Sequence, residues 1–270
     1  NVLSWPASSL VYQEYFSKQK RQFALTDIVA QMEKAQDAVI RADARGSLLI
    51  TGPAGSGKTT LALHRLAYLA QAPDTLELFP SNRMVVFVQD ASSRTYFSDL
   101  LPELGIQNVL VNTFEDWAAG LLEVTLKPPS REIMADADAY DEFQYQKNAA
   151  LQSALANTRS EEPFVILEKN YSKAFSPACR KMFKRQISEG SLDRFDLTLL
   201  LKNLAKRHGA IAKKKNYDEK NADGHYVTRT RLIPLNYSCI VLDEVQNYSP
   251  EQIKLLQTCI DPETKALLYV

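Results

Sequence analysis

One short stretch, Gly52-Pro53-Ala54-Gly55-Ser56-Gly57-Lys58-Thr59, constrains this chain more than anything else in it. Phosphate oxygens need several N–H donors at close range, and glycine lets a backbone wrap an anion without a Cβ clash. A helix that follows such a loop adds its positive end. In this pattern Lys58 can reach the β and γ phosphates and the Thr59 hydroxyl can ligate magnesium. Thr60 continues the segment. The flanks agree with the loop. The apolar run Leu48-Leu49-Ile50 precedes it, and residues 58–70 place Leu61, Leu63, Leu66 and Leu69 around a helix. The expectation is a strand–loop–helix unit that binds a nucleoside triphosphate, ATP with magnesium.

A second motif follows far along the chain. Ile240-Val241-Leu242-Asp243-Glu244-Val245-Gln246 reads as an apolar strand ending in two acids. Beside a phosphate loop, the first acid, Asp243, is placed to hold magnesium, and Glu244 to orient and deprotonate an attacking water. An Asp-Glu pair after a strand says little alone. Its meaning comes from the loop. Gln36, on the helical stretch leading into the first strand, has an amide that matches the N6 and N7 edge of adenine, although alone it reads as a surface glutamine.

Short apolar runs recur at Met84 to Val88, Val109-Leu110-Val111 and Ala266 to Val270. Each reads as a strand buried on both faces. Helical periodicity fills the gaps, over 26–43 and 58–70 and after the cap Ser249-Pro250. Alternating strands and helices predict an α/β fold with a parallel sheet. Residues 118–234 break the pattern, being charged, helical in composition and poor in strand signals. They read as a helical insertion that opens at Lys127-Pro128-Pro129-Ser130, with Lys213 to Gly224 as a mobile loop near its end.

The chain has 270 residues, 45% of them hydrophobic, enough for one large or two modest cores. It begins at Asn1 rather than Met, which reads as a processed product or a piece of a longer protein. No apolar run approaches the roughly 18 residues of a membrane span. Cys179, Cys239 and Cys259 lie far apart, as expected of reduced, partly buried thiols in a cytoplasmic protein. The 32 basic and 32 acidic residues balance, so any attraction for nucleic acid must be local. The stretch Lys202 to Arg231 and the cluster Arg180, Lys181, Lys184, Arg185 are locally basic. Each reads either as a solvated face or as a track along a nucleic-acid backbone. His64 reads as a packing or helix-surface histidine.

These residues together resemble the UvrD/Rep-type superfamily 1 DNA helicases and, within them, the helicase D-like group. The likeness rests on Gln36, the run Gly52 to Leu69, Val85-Val86-Phe87-Val88, Tyr96 to Gly105, Asn112-Thr113-Phe114-Glu115-Asp116-Trp117 and Asp243 to Gln252. It implies a RecA-like P-loop NTPase core. Residues 1–117 and 235–270 would form the ATP-binding motor domain and 118–234 the inserted subdomain. It implies translocation 3′ to 5′ on single-stranded DNA, contacted after Val88 and at Thr113 and Phe114. Core packing is the alternative for Phe114 and Trp117. Gln246 would couple the γ-phosphate to the DNA-contacting elements. Asn247 stands where the family often has Asp, and Glu115 where relatives often carry His. The family's Gly-Asp…Gln segment and a second motor domain are expected beyond Val270. The group also includes proteins that use ATP to recycle RNA polymerase, but Ser8 to Gln22 is too short for their coiled-coil arm. A nucleotide-binding module without turnover is disfavoured by the intact Lys58, Thr59, Asp243 and Glu244.

Overall fold

A computed structural model describes residues 2–4, 34–153, 155–156, 160–220 and 225–270. They group into two compact units.

The first unit comprises residues 1–113, 236–247 and 260–270. It is built on a six-stranded sheet of β1 (Val2–Ser4), β2 (Ser47–Thr51), β3 (Met84–Val88), β4 (Leu110–Thr113), β7 (Cys239–Leu242) and β8 (Ala266–Tyr269), in the order β1-β2-β8-β7-β3-β4. Every pairing is parallel. The expected runs form its centre: each residue of β3 and β7 is buried, as a sheet covered on both sides requires. The run at 109–111 departs from expectation. β4 is an edge strand whose Leu110 is 40% exposed, because only one neighbour covers it.

Helices α1 (Lys34–Ile40), α2 (Lys58–Gln71) and α3 (Ala91–Glu103) flank this sheet. The expected helix over 26–43 is described only from Lys34 and ends at Ile40, and Ile28, Val29 and Met32 lie outside the described residues. In α2, Leu61, Leu63, Leu66 and Leu69 are all buried, at about 1.5–3 kcal/mol apiece, among Val86, Val88, Val241 and Leu268. Asp90 caps α3 by accepting from the Ser93 N–H at 2.8 Å.

The second unit comprises residues 114–235 and 248–259. It contains α4 (Phe114–Leu122), α5 (Ala137–Leu151), α6 (Pro163–Tyr171), α7 (Pro177–Glu189), α8 (Arg194–His208) and α9 (Pro250–Gln257). Capping boxes at Asp193 and Ser249 start α8 and α9. In its core the fully buried Lys147 ammonium donates to Asp193 at 2.6 Å, Asp196 at 2.7 Å and Gln186 at 2.8 Å, while Tyr171 donates to Asp196 at 2.9 Å. Removing one partner from such a network would leave an uncompensated buried charge, at a cost of about 3–5 kcal/mol.

The stretch read as a mobile loop is instead structured. Residues Ala212–Lys220 form β5 and Tyr226–Pro234 form β6, an antiparallel hairpin joined by residues 221–224, which lie outside the described set. Almost every side chain along both strands is exposed, so the apolar alternation that marks a half-buried strand never forms.

Candidate nucleotide site

The phosphate loop leaves β2 at Thr51 and ends where α2 begins. A Cβ at Gly52 would sit 2.8 Å from the Oγ of buried Ser56, so a larger residue there would have to turn that hydroxyl aside. Gly55 and Gly57 take φ of 74° and 78°, the left-handed region that favours glycine. Gly57 offers no side chain to cap α2, so the first-turn N–H groups face the cradle without a side-chain acceptor. The loop folds on itself through a 3.2 Å hydrogen bond from the Ser56 N–H to the Pro53 carbonyl. Across it, the Lys58 Nζ donates to the same Pro53 carbonyl at 3.2 Å. Ala54 is exposed on the loop and Thr60 half-buried in α2.

β8 separates β2 from β7 in the sheet, yet the two motifs meet. The Thr59 hydroxyl donates to the Asp243 carboxylate at 2.8 Å. Asp243 is 7% exposed. Burial raises its pKa and neighbouring Glu244 adds to the rise, while the Thr59 hydroxyl and the Lys58 charge oppose them. Its backbone is pinned on both sides: its N–H donates to the Phe87 carbonyl at 3.0 Å, and its carbonyl accepts from the Gln89 amide at 3.2 Å.

Glu244 has φ 52°, a left-handed conformation held by a side-chain-bearing residue. Such a position costs about 1–3 kcal/mol and persists where the surroundings impose it. Here the Val245 N–H donates to the Val270 carbonyl at 2.8 Å and opens the 3₁₀ turn Val245–Asn247. The turn exposes Glu244 and Gln246 together, and the Gln246 amide donates to the Glu244 carboxylate.

A family model described as an AAA domain, AAA_19, matches residues 35–270. The chain belongs to this family. Its members are P-loop, helicase-like proteins related to UvrD and Rep, and the AAA domain implies nucleotide binding and hydrolysis. No curated protein matches the chain. The family's phosphate loop is the cradle described above. Left-handed Gly55 and Gly57 and a lysine at the helix start suit a triphosphate, and the two adjacent hard oxygens on Thr59 and Asp243 suit the divalent cation that accompanies it.

Two features of the AAA domain escaped the sequence. Gln89 was visible only as a residue after β3, and β3 pairing beside β7 is what brings its amide to Asp243. Arg65 lies inside the phosphate-loop helix, which the sequence marks only by its leucines, and it is 1% exposed. Its guanidinium donates to the carbonyls of Val39 at 3.1 Å, Ile40 at 3.0 Å, Ala42 at 3.1 Å and Asp43 at 2.5 Å. A side chain of α2 thereby caps the C-terminus of α1, the helix that carries half-buried Gln36.

The proposed strand contacts look different. Thr113 ends β4 and is 8% exposed, and Phe114 opens α4 at 2% exposed with its ring centroid 5.8 Å from that of Trp117. The ring is packed in a core, so the packing alternative replaces a stacking platform for Phe114. Burial also pushes the Cys239 and Cys259 thiols up to about 12, which removes them as nucleophiles.

Proposed function

We propose that the chain is an ATP-hydrolysing motor domain of the UvrD/Rep type, of the helicase D-like group, that moves along single-stranded DNA in the 3′ to 5′ direction. The observation that carries the reading is the meeting of Thr59 with Asp243 beside the exposed Glu244–Gln246 pair. Lys58 and the N–H groups around Gly55 to Gly57 would hold the β and γ phosphates. Thr59 and Asp243 would hold magnesium, which would neutralise charge on the phosphate oxygens. Glu244 would orient an attacking water and take its proton, and Gln246 would couple the γ-phosphate to the DNA-contacting elements. Gln36 reads the adenine edge.

On this proposal residues 1–117 and 235–270 form the motor domain around an insertion, and a second motor domain completes the active site from beyond Val270. The setting is the cytoplasm. Phosphate release from ATP by the intact protein, measured with and without a single-stranded oligonucleotide, tests the reading. Stimulation by the oligonucleotide supports it, and turnover indifferent to DNA rejects the motor while leaving the nucleotide site in place.

A further inference from the structure

The hairpin has two chemically different faces. In an antiparallel pair, residues opposite each other share a face and successive residues alternate. The pairs Lys215↔Arg231 and Tyr217↔Arg229 place three cations and an aromatic ring together, and Lys213 lies on the same face two residues before Lys215. Same-face neighbours are about 7 Å apart along each strand. The acid on this face is Glu219, and it is engaged by Arg229. Among the described residues, Lys213, Lys215 and Arg231 have no ion-pair partner.

The opposite face is neutralised. Lys214 pairs with Glu123 at 2.5 Å. Thr228 donates to Asp218 and Thr230 to Asn216, both at 2.8 Å. The three consecutive lysines therefore do not act as one patch. Two belong to a basic face and the middle one to a satisfied face.

We infer that the face formed by Lys213, Lys215, Tyr217, Arg229 and Arg231 is a docking surface for single-stranded DNA. The inference rests on the motor reading, which supplies the strand. Charge complementarity selects an anionic partner. The ring of Tyr217, 43% exposed between cations, selects one that has flat bases as well as charge. An acidic peptide would use the cations and leave the ring idle.

The test is binding of a labelled oligothymidylate to the intact protein across a salt series, read by fluorescence anisotropy. Lys213→Gln, Lys215→Gln and Arg231→Gln combined should weaken binding at least tenfold at low salt. They should flatten the slope of log affinity against log salt by about 2, at about 0.7 for each phosphate no longer neutralised. Lys214→Gln with Lys220→Gln, on the opposite face, should leave both readouts unchanged. Tyr217→Leu should weaken binding about tenfold without changing the slope. Equal losses from the two faces, or no loss from the basic face, overturn the inference while leaving DNA binding elsewhere intact. Failure of the wild-type protein to bind the oligonucleotide overturns the motor reading and this surface with it. Tighter binding of oligouridylate, or of a polyglutamate peptide, overturns DNA as the occupant.

Discussion

The Thr59 hydroxyl donates to the Asp243 carboxylate at 2.8 Å although the two residues lie 184 positions apart. Thr59 stands in the first turn of the helix after the phosphate loop, and Asp243 just past the end of β7, with β8 between the two strands. A phosphate cradle and a pair of oxygens fit for a divalent cation thus share one end of a parallel sheet. Thr59→Val keeps the shape and removes the oxygen, whereas Thr59→Ser keeps the oxygen. The valine variant should lose on the order of tenfold in ATP affinity with magnesium present and little in a chelator, while the serine variant behaves as wild type. Titration of a fluorescent ATP analogue in both conditions measures this. An equal loss in the chelator would instead make Thr59 a structural part of the loop.

Glu244 and Gln246 separate binding from turnover. Glu244→Gln preserves shape and polarity but removes the base, so the variant should bind ATP normally and hydrolyse it about 10²–10⁴-fold more slowly. Lys58→Ala should weaken ATP binding itself, because the ammonium now on the Pro53 carbonyl is the one placed to meet phosphate. Near-normal phosphate release by Glu244→Gln would remove Glu244 from the chemistry. Because Glu244 is held at φ 52°, Glu244→Gly relieves the backbone as well as deleting the carboxylate. It should therefore unfold at a slightly higher temperature than Glu244→Gln while being as inactive.

The loop and the Asp-Glu pair were legible because phosphate chemistry demands fixed residue types at fixed spacing, flanked by strand and helix. β3 and β7 were legible because burial on both faces leaves an unbroken apolar run. The hairpin was hidden for the converse reason: from Lys213 to Lys220 every side chain is exposed, so no periodicity separates it from a loop. The edge position of Leu110 depends on sheet order, which a local pattern does not contain. Arg65 was hidden because its partners are backbone carbonyls, which no side-chain pattern reveals.

Arg65 and Gln36 make a linked pair of expectations. Gln36→Ala should reduce the preference for ATP over GTP, since guanine presents an acceptor where adenine presents its N6 donor. Arg65→Met leaves the last carbonyls of α1 unsatisfied and should destabilise the fold by about 3 kcal/mol in urea unfolding. If α1 positions Gln36, the same variant should also narrow the ATP/GTP ratio under conditions where it remains folded. A destabilised Arg65→Met with an unchanged ratio would confine Arg65 to structure, and an unchanged ratio in Gln36→Ala would return Gln36 to the helix surface.

His64 sets a pH dependence of known sign. Its ring is 1% exposed inside α2, and burial lowers its pKa from 6.5 to about 4. Below pH 6.5 the unfolded chain takes up a proton that native His64 refuses, so its contribution is complete above that pH and is lost as pH falls toward 4. Between about pH 7.5 and pH 5 this amounts to roughly 2 kcal/mol. Asp196 acts in the opposite direction. Burial, aided by Asp193, pushes its carboxyl up to about 6, so the native state holds a proton there that the unfolded chain releases, and stability rises as pH falls through 6. Total stability against pH therefore mixes the two. The comparison that isolates His64 is the difference between wild type and His64→Leu, measured by urea unfolding at each pH. The variant should gain on the wild type as the solution is acidified, with the gap opening below pH 6.5. A gap that stays constant across that range would show that His64 titrates normally in the folded protein.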